Sequence, residues 1–184
     1  MFFKKKKIFL FLIFFSTQSF AEIKDNLIKN LEKIESYSFI FEQNINGKIE
    51  KGKCKISYPK KIFCEYDNKT QKILVSNGKS LVIKTSNSFY IYPLNKTPLN
   101  LILDKGFLIK KIKTLDERII ENKFINFNFI ENENEINIFF DKDTFNLIGW
   151  QTLDIYQKLS ITHLKSITKN QKIKKSLFKL PKQD

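Results

Sequence analysis

Apolar and polar residues alternate along most of the chain from residue 37 onward. In the first run, Tyr37, Phe39 and Phe41 fall on one side of a strand, because successive side chains of a strand point to opposite faces. Turn residues such as Asn77-Gly78 separate the runs at short intervals. About ten short strands in succession predict one antiparallel sandwich or barrel. The later runs occupy residues 52–58, 61–66, 72–76, 80–85, 88–92, 123–130, 135–141, 147–156, 159–167 and 176–180.

Two segments depart from this alternation. Residues 22–36 carry apolar side chains at helical spacing, which predicts an amphipathic helix covering an apolar surface. Thr97-Pro98 opens a second apolar segment at residues 99–103, and this segment is too short to cross a membrane. Proline suits the first helical turn and threonine suits the cap, so we expect a short helix here. The apolar positions of the first helix are Ile23, Leu27, Leu31 and Ile34.

The first 21 residues have the three-part layout of a secretory signal peptide. Residues 4–7 are lysines, residues 8–15 are apolar, and Ser19-Phe20-Ala21 is a small-x-small cleavage sequence. An uncleaved membrane anchor is the weaker interpretation, because the apolar run is well short of a spanning helix. We predict cleavage after Ala21 and an exported mature chain at residues 22–184, which is the size of one domain.

The charge changes this interpretation little. The formal net charge is +14, which often indicates a nucleic-acid or membrane partner. However, Arg118 is the only arginine, and both base readout and bidentate phosphate binding favour arginine over lysine. We therefore expect no nucleic-acid partner and interpret the lysines mainly as solvated surface.

Residues typical of catalysis are scarce. His163 is the only histidine, and it has no evident partner for acid–base work. No cofactor motif and no metal-ligand spacing occurs, so we predict a binding protein rather than an enzyme. Cys54 and Cys64 flank a tight turn and can face each other across a hairpin. In an exported chain they form either a disulfide or two buried free thiols.

Several stretches in the same order resemble the LolA family of periplasmic carriers of outer-membrane lipoproteins. They cover essentially the whole mature chain, and they include Phe41 and Gln43 in an F-x-Q sequence and Thr97 to Leu99 in a T-P-L sequence. The stretches are NLEKIESYSFIFEQ at residues 30–43, KGKCKISYPKKIFCEY at 51–66, ILVSNGKSLVI at 73–83, YPLNKTPLNLIL at 92–103 and FKLP at 178–181.

The resemblance implies a mainly β fold, an incomplete antiparallel β-barrel with an amino-terminal helix and lid helices over an apolar cavity. It also implies a periplasmic, monomeric carrier without a cofactor that shields lipoprotein acyl chains. Cargo would come from an inner-membrane ABC-type release complex and pass to an outer-membrane acceptor lipoprotein. An envelope sensor or a general periplasmic lipid-binding protein of the same fold is the alternative.

Alternation along successive strands predicts which large side chains line the cavity. They are Phe39, Phe41, Ile56, Ile62, Val75, Leu81, Ile83 and Tyr90. The predicted lid residues are Pro98, Leu99, Leu101 and Ile102. Family members often carry an arginine before the hairpin proline, where this chain has Tyr58. We expect Tyr58 at the cavity rim, donating a hydrogen bond to a lid carbonyl near residues 99–102.

Overall fold

The computed structural model describes residues 18–154 and 156–183. Most of the predicted signal peptide, residues 1–17, lies outside the described residues. Helix α1 (Gln18–Glu32) begins three residues before Ala21, and cleavage at that point stays a prediction. None of the described helices is long and apolar enough to cross a membrane.

Eleven antiparallel strands form one sheet in the order β6-β5-β4-β3-β2-β1-β11-β10-β9-β8-β7. The first and last strands pair in the middle, and β6 and β7 are the edges, so the sheet is not closed into a barrel. The predicted mainly β, incomplete barrel is therefore confirmed. The strands are β1 (Ser36–Ile45), β2 (Lys48–Ser57), β3 (Lys61–Tyr66), β4 (Ile73–Asn77), β5 (Ser80–Lys84), β6 (Phe89–Pro93), β7 (Arg118–Ile120), β8 (Phe124–Glu131), β9 (Asn134–Asp141), β10 (Leu147–Leu153) and β11 (Leu159–Lys169).

Local turn chemistry sets the hairpins. Gly78 has a φ of 99°, a conformation that glycine adopts without steric cost. The Asn77 side chain accepts hydrogen bonds of 2.9 and 3.0 Å from the backbone N–H groups of Lys79 and Ser80. This turn joins β4 to β5, so the position that the sequence pattern predicts is correct.

The remaining helices follow β6. A 3₁₀ turn (Leu94–Lys96) leads to α2 (Leu99–Leu103) and then to α3 (Lys105–Thr114), which packs against α1. Lys105 Nζ donates to the carbonyl oxygen of Ile34 at 2.8 Å, just beyond the end of α1. Lys24 on α1 donates to the carbonyl oxygen of Leu115 at 2.7 Å. These bonds join the two helices at both ends.

Three elements differ from the sequence prediction. Residues 176–180, predicted as a strand, instead contain a 3₁₀ turn (Lys175–Phe178) that packs against β3 and β4. Helix α3 and the short strand β7 were not predicted. Half of the residues of α3 are lysine or polar, and only Leu108 and Ile112 are buried. The helical spacing of its apolar residues is therefore a weak signal in the sequence.

Candidate functional site

A cavity of about 190 Å³ lies between the sheet and helix α2. Its wall on β1 to β5 is mostly apolar, and α2 with the residues before it closes one side. The predicted residues that line it are Phe39, Phe41, Ile62, Leu81 and Ile83 from the sheet and Pro98, Leu99 and Ile102 from the lid segment. Their contact with lipid stays a prediction.

The Phe41 ring depends on a glycine in the neighbouring strand. Phe41 pairs with Gly52 across β1 and β2, and a Cβ at Gly52 would lie 2.8 Å from the ring and 2.0 Å from the carbonyl oxygen of Glu65. Only glycine therefore fits at this position. The Phe41 ring packs edge-on against Tyr66, with 4.9 Å between ring centroids. This pair forms an aromatic part of the wall.

Cys54 and Cys64 are directly opposite each other on β2 and β3, and their sulfur atoms are bonded. Of the two alternatives that the sequence left open, the structure has the disulfide. Both cysteines are buried and line the cavity. The bond joins two strands of the wall at the level of the cavity.

The turn between β2 and β3 holds the lid segment. The backbone N–H of Lys60 donates to the carbonyl oxygen of Leu103 at 2.9 Å, and Lys60 Nζ lies 3.0 Å from Asp104 Oδ2. Asp104 also caps α3, because its side chain accepts a 3.0 Å hydrogen bond from the N–H of Phe107. The Thr97 hydroxyl does not cap α2 but donates to the carbonyl oxygen of Leu94 at 2.8 Å.

Tyr58 does not have the predicted lid contact. Among the residues that the structure describes, none accepts a hydrogen bond from its hydroxyl, and Tyr58 does not line the cavity. Its ring instead packs edge-on against Tyr37 at 6.2 Å, with Lys105 Nζ 5.8 Å from the ring centroid. Burial raises the pKa of Tyr58. The prediction of a lid hydrogen bond is wrong, because the adjacent turn residue Lys60 occupies that role.

Two other predicted wall residues lie elsewhere. Val75 pairs with Phe63 and Val82 on the opposite face of the sheet, where the carboxyl-terminal 3₁₀ turn packs. Its neighbour Leu74 lines the cavity instead. Tyr90 shares the side of Ile83, but it sits on edge strand β6, is 46% exposed and lies outside the cavity. Both predictions are therefore corrected.

Ile56 and Leu101 are buried next to the cavity but do not line it. Ile56 pairs with Tyr37 and Ile62, so it lies on the predicted face but beyond the end of the cavity. On α2, residues 99 and 102 face the cavity, whereas Leu101 packs into the surrounding core. These two residues support the wall rather than form it.

The strand pattern did not identify the other side of the cavity. Trp150 and Thr152 on β10, with Ser160 and Thr162 on β11, line this side together with Gln43 on β1. Cross-strand pairs put them on one face, since Trp150 is opposite Thr162 and Thr152 is opposite Ser160. Alternation around Trp150 could have placed these residues on the inner face. Because they are polar, however, the pattern of large apolar residues did not identify them.

Charged residues lie at one rim of the cavity. Lys72 Nζ lies 4.0 Å from the Tyr66 ring centroid and forms an ion pair with Glu50 at 2.5 Å, and Lys48 pairs with the same carboxylate at 3.1 Å. Partial burial raises the pKa of Glu50, but the hydrogen bonds from Lys72 and then Lys48 outweigh it, so the net pKa lies below the usual value. Glu50 is therefore ionised at neutral pH.

Within residues 18–154 and 156–183, no group of three or more histidine, cysteine or acidic side chains could hold a metal ion. The site as described is an apolar cavity with one polar side, a disulfide in its wall and a helical lid. Such an arrangement can take up an elongated apolar group.

The sequence profile of the family described as outer membrane lipoprotein carrier protein LolA matches residues 32–181. The chain belongs to the LolA family, which confirms the resemblance. No curated protein sequence matches the chain.

Three solved structures are similar to this chain at low sequence identity. A LolA superfamily protein from Nitrosomonas europaea is 6% identical, with a TM-score of 0.44 over 85% of this chain and 97% of its own. Mycobacterium tuberculosis lipoprotein LppX is 7% identical, with a TM-score of 0.48 over 86% and 100%. A chain of the Pseudomonas aeruginosa MucA/MucB complex is 10% identical, with a TM-score of 0.48 over 88% and 60%.

Proposed function

We propose that this protein is a carrier that shields the acyl chains of lipoproteins during their passage through the periplasm. The observation that supports this most is the cavity itself, because its wall from β1 to β5 is apolar and α2 lies over it. Each methylene removed from water contributes about 0.8 kcal/mol. A lipoprotein acyl chain therefore crosses an aqueous space only if a carrier buries it.

The closed cavity is too small for this cargo. Its volume of about 190 Å³ is below the roughly 300–1,000 Å³ of pockets that bury drug-sized ligands. Binding of acyl chains therefore requires α2 to move away from the wall. Leu99 and Ile102, which line the same cavity as Phe41, would then exchange their packing in the closed lid for contacts with lipid or solvent.

Among the described residues, the polar contacts that join α2 and its junction with α3 to the turn between β2 and β3 are few, which suits reversible opening. They are the backbone hydrogen bond from Lys60 to Leu103 and the partly exposed ion pair between Lys60 and Asp104. Exposed ion pairs contribute about 0–1 kcal/mol. Reclosure of the empty lid buries its apolar side chains again, and this gain offsets part of the lipid-binding energy and assists release.

Membership of the LolA family supports a proposal for the route of the cargo. We propose that an inner-membrane ABC-type complex loads the carrier and that an outer-membrane acceptor lipoprotein unloads it. The protein would act as a monomer, without catalysis and without a cofactor. The predicted signal peptide at residues 1–21 supports export to the periplasm.

A release assay tests this function. Membranes that carry the cognate release complex and a labelled triacylated lipoprotein are incubated with ATP and the purified mature protein. We expect lipoprotein to leave the membrane in a soluble complex with the protein, and the Phe41→Glu variant to release none. Retention of all lipoprotein in the membrane, while a hydrophobic dye still binds the protein, would favour a general lipid-binding protein or an envelope sensor.

A further inference from the structure

Three buried hydroxyl side chains lie side by side on the polar side of the cavity. This hydroxyl patch consists of Thr152 on β10 and Ser160 and Thr162 on β11. All three residues are more than nine-tenths buried, with 8%, 3% and 3% of their surface exposed. They lie side by side, because Thr152 is paired directly with Ser160 and Thr162 is two residues further along the same strand.

Two of these hydroxyls have unused hydrogen-bonding capacity. Thr152 Oγ1 and Thr162 Oγ1 have no hydrogen-bond partner among the described residues. Ser160 Oγ accepts a 2.9 Å hydrogen bond from Gln43 Nε2, which leaves its own proton free to be donated. Buried polar groups without partners are rare and call for an explanation. Here both side chains line the cavity, so a ligand bound in it would supply the missing hydrogen-bond partners.

The hydroxyl patch lies at the end of the cavity that is next to the turn between β10 and β11. Gln43 and Ile45 at the end of β1 pair with Thr162 and Ser160 at the start of β11. The turn between β10 and β11 begins just beyond Leu153, and Tyr156 in this turn is 60% exposed. The hydroxyl patch therefore lies next to solvent-exposed residues, whereas the lid-covered apolar wall on β2 to β5 lies on the other side.

We propose that the hydroxyl patch binds the carbonyl oxygens of the ester groups that join acyl chains to the glyceryl head of the cargo. The inference rests on the proposed carrier function and adds an orientation to it. Ester carbonyls only accept hydrogen bonds, and Thr152, Ser160 and Thr162 each have a proton to donate. The chains then run from the patch along the apolar wall, and the polar remainder of the cargo leaves by the turn between β10 and β11.

The patch would also discriminate between ligands. A hydrocarbon leaves the two threonine hydroxyls unpaired, and an ether lipid lacks the projecting carbonyl oxygens and offers only weaker ether oxygens, whereas an ester lipid satisfies the hydroxyls. A neutral hydrogen bond corresponds to about 2- to 10-fold in affinity. The wild-type protein should therefore bind a diacylglycerol more tightly than the dialkyl ether of equal chain length.

The test compares these two lipids by displacement of a hydrophobic fluorophore from wild type, from the Thr152→Val/Thr162→Val double variant and from Thr168→Val. Valine keeps the shape of threonine and removes the hydroxyl. Thr168 lies on the same strand but outside the cavity, and its hydroxyl bonds the carbonyl oxygen of Ser38. Thermal unfolding of each variant establishes that it is folded.

We expect the double variant to lose the preference for the ester lipid, with its affinity for the ether lipid unchanged or higher, and Thr168→Val to behave as wild type. A wild type without preference, or a double variant that keeps it, overturns the inference while leaving the carrier function intact. Binding of neither lipid to wild type overturns the carrier function as well. A triacylated lipopeptide and a phosphatidylethanolamine, tested in parallel, show which ester lipid loses more affinity in the double variant.

Discussion

Lys60 Nζ lies 3.0 Å from Asp104 Oδ2, so the turn between β2 and β3 is bound to the junction of α2 and α3. The backbone hydrogen bond from Lys60 to Leu103 acts at the same place. Because Asp104 also caps α3, one carboxylate serves two functions. It stabilises the helix that follows the lid, and it holds the lid to the sheet.

Variants of this pair should separate the two functions. Lys60→Met removes only the ion pair and should lower the free energy of unfolding by about 0–1 kcal/mol. Asp104→Ala also removes the cap, which adds about 0.5–2 kcal/mol. Hydrogen exchange of the amides at residues 99–103 should become faster in both variants, and more so in Asp104→Ala.

Two controls accompany these variants. Lys79→Met removes an exposed lysine from another turn and should leave the exchange of residues 99–103 unchanged. Tyr58→Phe should do the same, because the Tyr58 hydroxyl bonds no described residue. Faster exchange in Tyr58→Phe than in Lys60→Met would contradict this account of how the lid is held.

A charge in the cavity wall should abolish binding of a hydrophobic fluorophore. Phe41→Glu places a carboxylate among apolar side chains, where an unpaired charge is strongly unfavourable. Leu74→Glu changes a wall position that is only partly buried, and it is the variant that should retain its fold more easily. Ile130→Glu, at a position 69% exposed on β8, is the matched control and should bind as wild type. Dye binding by folded Leu74→Glu equal to that of the control would show that the cavity is not the binding site.

Loss of the disulfide should destabilise the protein measurably. Cys54 and Cys64 are ten residues apart, and closing a loop of this length in the unfolded chain corresponds to about 3 kcal/mol. Urea unfolding of wild type should shift to lower concentration on addition of dithiothreitol, and the Cys54→Ala/Cys64→Ala variant should not respond to the reductant. An unchanged wild-type midpoint in fully reduced protein would be inconsistent with a stabilising bond.

Acid should lower the free energy of unfolding by protonating Glu50 at the cavity rim. Its pKa in the folded protein is lowered below the usual value of 4.5, so ionised Glu50 stabilises the fold above that pH, and this stabilisation is lost as the pH falls through the folded pKa. Between pH 6 and pH 3, wild type should lose more unfolding free energy than Glu50→Gln. Glu121→Gln, at an exposed position, should follow wild type. Equal losses in wild type and Glu50→Gln would contradict a role for the Lys72–Glu50 pair in stability.

The sequence pattern predicted the sheet well because period-two alternation and turns such as Asn77-Gly78 are local properties. It placed Val75 on the wrong face because Leu74 and Val75 are neighbouring apolar residues on opposite sides of β4, and both are shielded from solvent, Val75 fully and Leu74 partly. In such a strand, alternation cannot distinguish the two faces. Tyr90 was misplaced because the exposure of an edge strand depends on where the sheet ends.

Other features of the site depend on contacts between distant segments. The lid contact of Lys60 arises from a turn that meets α2 about forty residues later in the chain, and no local pattern of hydrophobicity encodes it. The threonines of β10 and β11 look like ordinary polar strand residues until the pairing of Thr152 with Ser160 places them inside the cavity. Such residues are identified only when the fold brings them together.

Native mass spectrometry of the protein purified from its own periplasm tests the central proposal most directly. We predict a bound triacylated lipoprotein in wild type and no bound lipoprotein in the Leu74→Glu variant purified in the same way. A wild type that carries only phospholipid, or no lipid at all, would contradict the proposal that this protein carries lipoproteins.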